Sequence, residues 1–164
     1  MNIKAWGMLL ATLGVAGCSL FAVRGERLDV VEAGRSILCS AEETSARVQI
    51  FDSAAAVQQW QARTGIELAV FGELDRGRYA LIEMGQRHTG GYGIAVSREA
   101  RISGNTLRLY ATFFEPDAGA ITPQMINSPC ALVYLPEGAY IGVQVYDQHG
   151  QLRADSMRSG EAVP

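Results

Sequence analysis

Two histidines, three cysteines and a scatter of carboxylates are the residues in this chain whose types could do chemistry. His88 and His149 stand far apart in sequence, and neither has a second His or a Cys at a ligand spacing such as H-x₃-H or C-x₂-C, so no metal is expected. Neither a Gly-x-Ser-x-Gly elbow nor a phosphate-cradling P-loop occurs, so no cofactor is expected either. Glu42, Glu43, Glu115 and Asp117 fall in turn-like segments, where solvated surface is the ordinary explanation for a carboxylate. Lys4 is the single lysine beside 13 arginines, which leaves almost no material for a Schiff base. No catalytic residue is expected, and the chain reads as a non-enzyme.

What remains is a question of which elements hold these residues. At 164 residues, 48% hydrophobic and 19% charged, the chain fits one globular domain and neither a disordered segment nor a coiled coil. A formal net charge of −3 argues against a partner that is a nucleic acid, whose phosphates call for a basic surface.

The cysteines divide by position. Met1 to Lys4 form a positive start, 5–14 an apolar run with Trp6, Leu9, Leu10 and Leu13, and Val15-Ala16-Gly17 a small-residue cleavage stretch directly before Cys18. The run is shorter than the ~20 residues a bilayer-spanning helix needs. This arrangement resembles the lipobox of bacterial lipoproteins, which implies removal of 1–17, acylation of Cys18 and membrane attachment through acyl chains (palmitate among them). Ser19 resembles the outer-membrane sorting default, so the expected location is the outer membrane, anchored by lipid and facing the periplasm. Cys39 and Cys130 then remain in a compartment that permits disulfides. A bridge between them would close a loop of about 90 residues, for which chain entropy predicts about 4.5 kcal/mol. Two separate buried thiols are the alternative.

Residues 18–26 read as a tether and 27–164 as the domain. Short strands are expected at 27–32 and 36–39 around an Ala33-Gly34 turn, and a third at 47–51, where Arg, Val, Gln, Ile and Phe alternate. Asp52 or Ser53 then caps a helix running through Ala62, with Arg63 in the last turn, Gly65 as its stop, and Val57 and Trp60 on the core face. Further strands are expected at 66–71, 78–84, 92–97, 106–114, 131–135 and 140–146, divided by turn chemistry such as Asp75-Arg76-Gly77 and Ser103-Gly104-Asn105. Leu107, Leu109 and Phe113 make the core face of their strand, leaving Tyr110 and Phe114 to pack beneath the helix. The fold class is therefore α+β, a mostly antiparallel, meander or sandwich-like sheet domain with one early helix. If successive strands pair, the loop at 85–92, the long loop 115–129 and residues 147–149 all gather at one end.

Gly85-Gln86-Arg87-His88-Thr89-Gly90-Gly91-Tyr92 resembles the signature of the PrcB C-terminal family, a protease-complex subunit family. Ile94 and Val96 after the tyrosine, Pro116 after the next long strand, and Ser128-Pro129 leading into Ala131-Leu132-Val133-Tyr134-Leu135-Pro136 carry the likeness over about residues 77–147. His88 where a proline is expected, and Cys130 where an aromatic is usual, depart from the pattern. The resemblance implies an accessory lipoprotein that binds or helps mature a secreted or envelope protease, with Gly85, Arg87, His88, Thr89, Gly90, Gly91 and Tyr92 as the partner-binding loop. Read from the residues alone, Gly90 and Gly91 permit positive φ at successive positions, and a plain Gly-Gly hairpin is the competing reading. The loop also resembles, more loosely, the wedge of chagasin-type protease inhibitors, which makes inhibition the alternative function.

Overall fold

The computed structural model describes residues 25–39 and 44–156, so Cys18, Glu42 and Glu43 lie outside the described residues. Ten strands and one helix follow in the order β1 (Glu26–Asp29), β2 (Val31–Ser36), β3 (Arg47–Phe51), α1 (Ala54–Thr64), β4 (Ala69–Val70), β5 (Arg78–Glu83), β6 (Gly93–Ser103), β7 (Thr106–Phe114), β8 (Cys130–Leu135), β9 (Gly142–Tyr146) and β10 (Leu152–Asp155). They build two five-stranded sheets, β1-β6-β7-β9-β10 and β3-β5-β8-β2-β4.

Burial patterns explain the layering. On β7 the residues alternate, with Leu107, Leu109, Ala111 and Phe113 buried and Arg108, Tyr110 and Thr112 half-exposed, the signature of a sheet wet on one side. On β5 the run Tyr79-Ala80-Leu81-Ile82 is buried at every position. Both faces of that strand are therefore covered: Ala80 and Ile82 join Leu107, Leu109, Val133 and Val143 in the core between the sheets. Tyr79 and Leu81 join Val57, Trp60, Phe51 and Leu132 in a second core beneath α1. The order of layers is sheet, sheet, helix.

The helix follows its sequence signals. Ser53 in extended conformation accepts a hydrogen bond from Ala56 N at 3.2 Å, and Gly65 at φ 70° closes the other end with its N–H on Gln61 O at 2.8 Å. Because α1 packs on β3 and β5, it lies over the opposite sheet from β7. Tyr110 and Phe114 are thus not beneath it: Tyr110 stands against Tyr146, ring centroids 6.2 Å apart, and Phe114 is 51% exposed.

Further expectations are corrected. No turn forms at Ala33-Gly34; Gly34 lies inside β2, where a Cβ would meet Ala69 O at 3.0 Å. The strand expected at 66–71 shortens to Ala69–Val70, and β10 was missed. Successive strands do not form a meander, because β5 pairs with β3 and β8 while β6 pairs with β1 and β7. One pair, β7 with β9, is parallel.

The loop geometry survives that correction for a different reason. Both the β5–β6 loop and the β7–β8 loop carry the chain from one sheet to the other across the same end of the sandwich, a crossing of about 10 Å. Running parallel to β7, β9 delivers residues 147–149 to that end as well. There Gln148 clamps the backbone of Phe113, accepting from its N at 3.0 Å and donating to its O at 3.2 Å.

Candidate functional site

At this end the two crossing loops are joined by backbone pairing. Arg87 N donates to Asn127 O at 2.7 Å and Asn127 N to Arg87 O at 2.9 Å; Gly90 N donates to Pro123 O at 2.9 Å and Met84 N to Pro129 O at 2.9 Å. The amide of Asn127 adds a bond from Nδ2 to Thr89 O at 3.1 Å. On the other side of the same segment, Ser128 N donates to Ile37 O at 2.7 Å and Cys39 N to Ser128 O at 2.9 Å. Three stretches of chain, 37–39, 127–128 and 87, therefore run side by side as a small irregular sheet.

Cys39 and Cys130 are disulfide-bonded, with Cα atoms 6.0 Å apart and a sequence separation of 91. The bridge fixes the 37–39 stretch against the start of β8. Next to Cys130 in the sheet register stands Glu83, wholly buried, held by a two-point ion pair from Arg47 on β3. A carboxylate desolvated to this degree needs such a partner.

The seven residues of the expected partner-binding loop divide sharply between structural and outward roles. Gly85 is buried at φ 83°, and a Cβ there would sit 2.7 Å from the Thr44 carbonyl carbon. Gly90 has no positive φ, contrary to expectation; a Cβ there would lie 3.1 Å from Cδ and Cγ of Pro123, a tight contact that the proline ring would have to relieve. Gly91 alone of the pair adopts the left-handed region, at φ 91°. Tyr92 packs its half-buried ring against the inter-sheet core and beneath the Arg87 guanidinium, 5.6 Å from its centroid. Arg87 is half-buried: it donates to Thr44 O and Gln86 O at 2.8 Å and to Met84 O at 2.9 Å, tying its own 84–87 stretch to the segment at Thr44. Of the seven, His88 and Gly91 are exposed. His88 and His149 are both exposed, and among the described residues no group of three or more His, Cys, Asp or Glu is close enough to hold a metal.

The outward surface is instead apolar. Ile37 and Leu38 are 60% and 56% exposed, Met125 and Ile126 are 42% and 57% exposed, and Ile121 at the loop tip is fully exposed. Beside them opens a groove of about 460 Å³ lined by Leu38, Thr64, Ile66, Gln86, Ile126 and Asn127, among others. Asn127 is buried, and its Oδ1 has no hydrogen-bond partner. A buried acceptor left unpaired in a native structure calls for an explanation, and a donor arriving with a ligand is one.

Sequence reasoning missed this apolar rim. Its trace in the sequence is the apolar dipeptides Ile37-Leu38, expected as part of a short strand at 36–39, and Met125-Ile126, within the long loop 115–129. Their exposure depends on which sheet each neighbouring strand joins.

Asp147 anchors the third loop. Burial would push its carboxyl up, but the N–H groups of Gln151 and His149, each at 2.9 Å, and the Arg153 guanidinium outweigh that and hold its pKa below the ordinary value.

Among the described residues no helix is long and apolar enough to cross a membrane. Comparison with curated proteins and with solved structures gives no match. Residues 78–136, from the start of β5 through both crossing loops to the end of β8, match the family model described as PrcB C-terminal, and the chain carries a PrcB C-terminal-like domain.

Proposed function

We propose that this protein is a lipid-anchored accessory subunit, held at the outer membrane through Cys18 and facing the periplasm, that binds a protease or its precursor through the loop end of the sandwich and does no catalysis itself. The PrcB C-terminal match relates the chain to a protease-complex subunit, and the partner is a protein on that ground. One observation carries the choice of surface: a rigid, backbone-paired end whose exposed side chains are apolar, beside a groove lined by a buried Asn127 with an unpaired carbonyl oxygen. Contiguous exposed apolar side chains mark interaction surfaces, and binding loops are commonly positioned by a rigid scaffold in this way. An incoming peptide N–H would satisfy Asn127 Oδ1 while an apolar side chain fills the groove.

The test is a pull-down of the full-length protein from its own envelope, comparing wild type with Leu38→Asp and Ile126→Asp. A stable complex with an active protease, lost in both variants while thermal stability is kept, supports assembly. Loss of protease activity in the complex assigns inhibition instead. Retention of the partner by both variants would sink the surface. Fractionation of a Cys18→Ala variant tests the anchor separately, and sedimentation with outer membrane would overturn it.

A further inference from the structure

The open face of the sheet containing β7 carries an arrangement that the loop end does not use. In the strand register Arg27 on β1 stands opposite Arg101 on β6, Arg101 opposite Arg108 on β7, Arg108 opposite Gln144 on β9, and Gln144 opposite Asp155 on β10. Directly opposed residues share a face, and Leu107 and Leu109 point into the core, so this row lies on the outer side. Three arginines in adjacent positions, one strand spacing of about 4.8 Å apart, repel one another unless an anion lies between them.

Glu99 supplies that anion for two of the three, at 2.7 Å from Arg101 and 3.5 Å from Arg27. Arg108 has none. It is the half-buried arginine among the described residues that makes no hydrogen bond or ion pair; its Nε is buried without a partner, and its guanidinium lies 5.6 Å from the centroid of the Tyr146 ring. Tyr110 stands beside Tyr146, the rings tilted by 36°. The Tyr146 hydroxyl donates to Gln144 Oε1 at 3.0 Å, and Gln144 Nε2 donates to Asp155 Oδ2 at 3.0 Å, so these side chains are held in place before any ligand arrives.

We infer that this face binds an acidic polysaccharide, a chain of flat hydroxylated rings bearing carboxylates. The free fork of Arg108 takes a carboxylate, and the tyrosine rings take the apolar faces of the sugars. A guanidinium pairs with carboxylate through two parallel N–H bonds, and stacking on a ring leaves those N–H groups available. The row crosses the middle of a sheet, so a peptide adding as an edge strand does not reach it. Asp29 and Glu99 on one side and Asp155 on the other frame the row, which opposes a broad anionic membrane but admits a single narrow chain. This site is separate from the loop end and does not rest on the function proposed for it.

The test is titration of the full-length protein with polygalacturonate, galacturonate, polyglutamate and neutral dextran. Binding of polygalacturonate that weakens with rising salt, weaker binding of the monomer and none of dextran are expected. Arg108→Gln should weaken polygalacturonate binding by about tenfold or more, since a charge-assisted pair is lost. Tyr146→Ala should weaken it too, whereas Ile126→Asp at the loop end should not. Arg108→Lys keeps the charge, and failure to restore binding supports the two-point contact even if Arg108→Gln folds poorly. Absence of polygalacturonate binding, equal binding by Arg108→Gln, or equal affinity for polyglutamate each overturns the assignment.

Discussion

Arg87 and Asn127 exchange a pair of backbone hydrogen bonds, 2.7 and 2.9 Å, across two loops that belong to different connections of the sandwich. Through this pair the β5–β6 loop and the β7–β8 loop act as one body. The side chain of Arg87 works toward the same end, since all three of its acceptors are backbone carbonyls.

Arg87→Ala should therefore destabilise the fold, by about 1–3 kcal/mol, because Met84, Gln86 and Thr44 lose a charged donor. An exposed arginine such as Arg98, replaced by alanine, should stay within about 0.5 kcal/mol of wild type. Urea denaturation of both variants checks this, and equal midpoints would mean that the guanidinium bonds add nothing.

The glycines of the loop should rank by cause. Gly85→Ala combines positive φ with backbone 2.7 Å from the new Cβ, Gly91→Ala combines positive φ with a contact of 3.2 Å to Pro116, and Gly90→Ala meets only the ring of Pro123 at 3.1 Å. Losses should decrease in that order, with positive-φ strain alone accounting for about 1–3 kcal/mol. Thermal melts of the three variants give the ranking.

Reduction of the Cys39–Cys130 bridge, or its removal by Cys39→Ser with Cys130→Ser, should cost about 2–5 kcal/mol. Exposure of the groove should change as well, since Cys39 lines it. Mass spectrometry before and after reduction, paired with denaturation, reads both the bond and its contribution; two free thiols in the oxidised protein would end the claim.

Asp147 sets an acid limit. Its folded pKa lies below the unfolded value, so its contribution is complete above about 3.9 and is lost as pH falls through that value toward the lower folded one. Stability of the wild type should drop over that window, and Asp147→Asn should flatten the slope while lowering stability at neutral pH. Denaturation midpoints across acidic pH decide it; identical slopes would assign the acid sensitivity elsewhere.

Much of the architecture is written locally. Ser53 and Gly65 bound α1 because a side-chain acceptor and a residue free to take positive φ are needed at those two places whatever surrounds them. Alternation on β7 marked one wet face, and Leu107, Leu109 and Phe113 were placed in the core by period alone. Cys39 and Cys130 pair as their count suggested, and the matched 78–136 falls within the 77–147 that carries the family resemblance. None of this says which sheet a strand joins. Pairing of β7 with β9 rather than β8 depends on contacts far apart in sequence, and a strand's pattern reads the same in either sheet. That choice put α1 on the far sheet from Tyr110, aligned Arg27, Arg101 and Arg108 in one row, and turned Ile37, Leu38 and Ile126 outward. It also turned Arg87 inward: an arginine between a glutamine and a histidine looks like a surface contact until the carbonyl of Thr44, 43 residues earlier in the chain, joins those of the neighbouring Met84 and Gln86 around it.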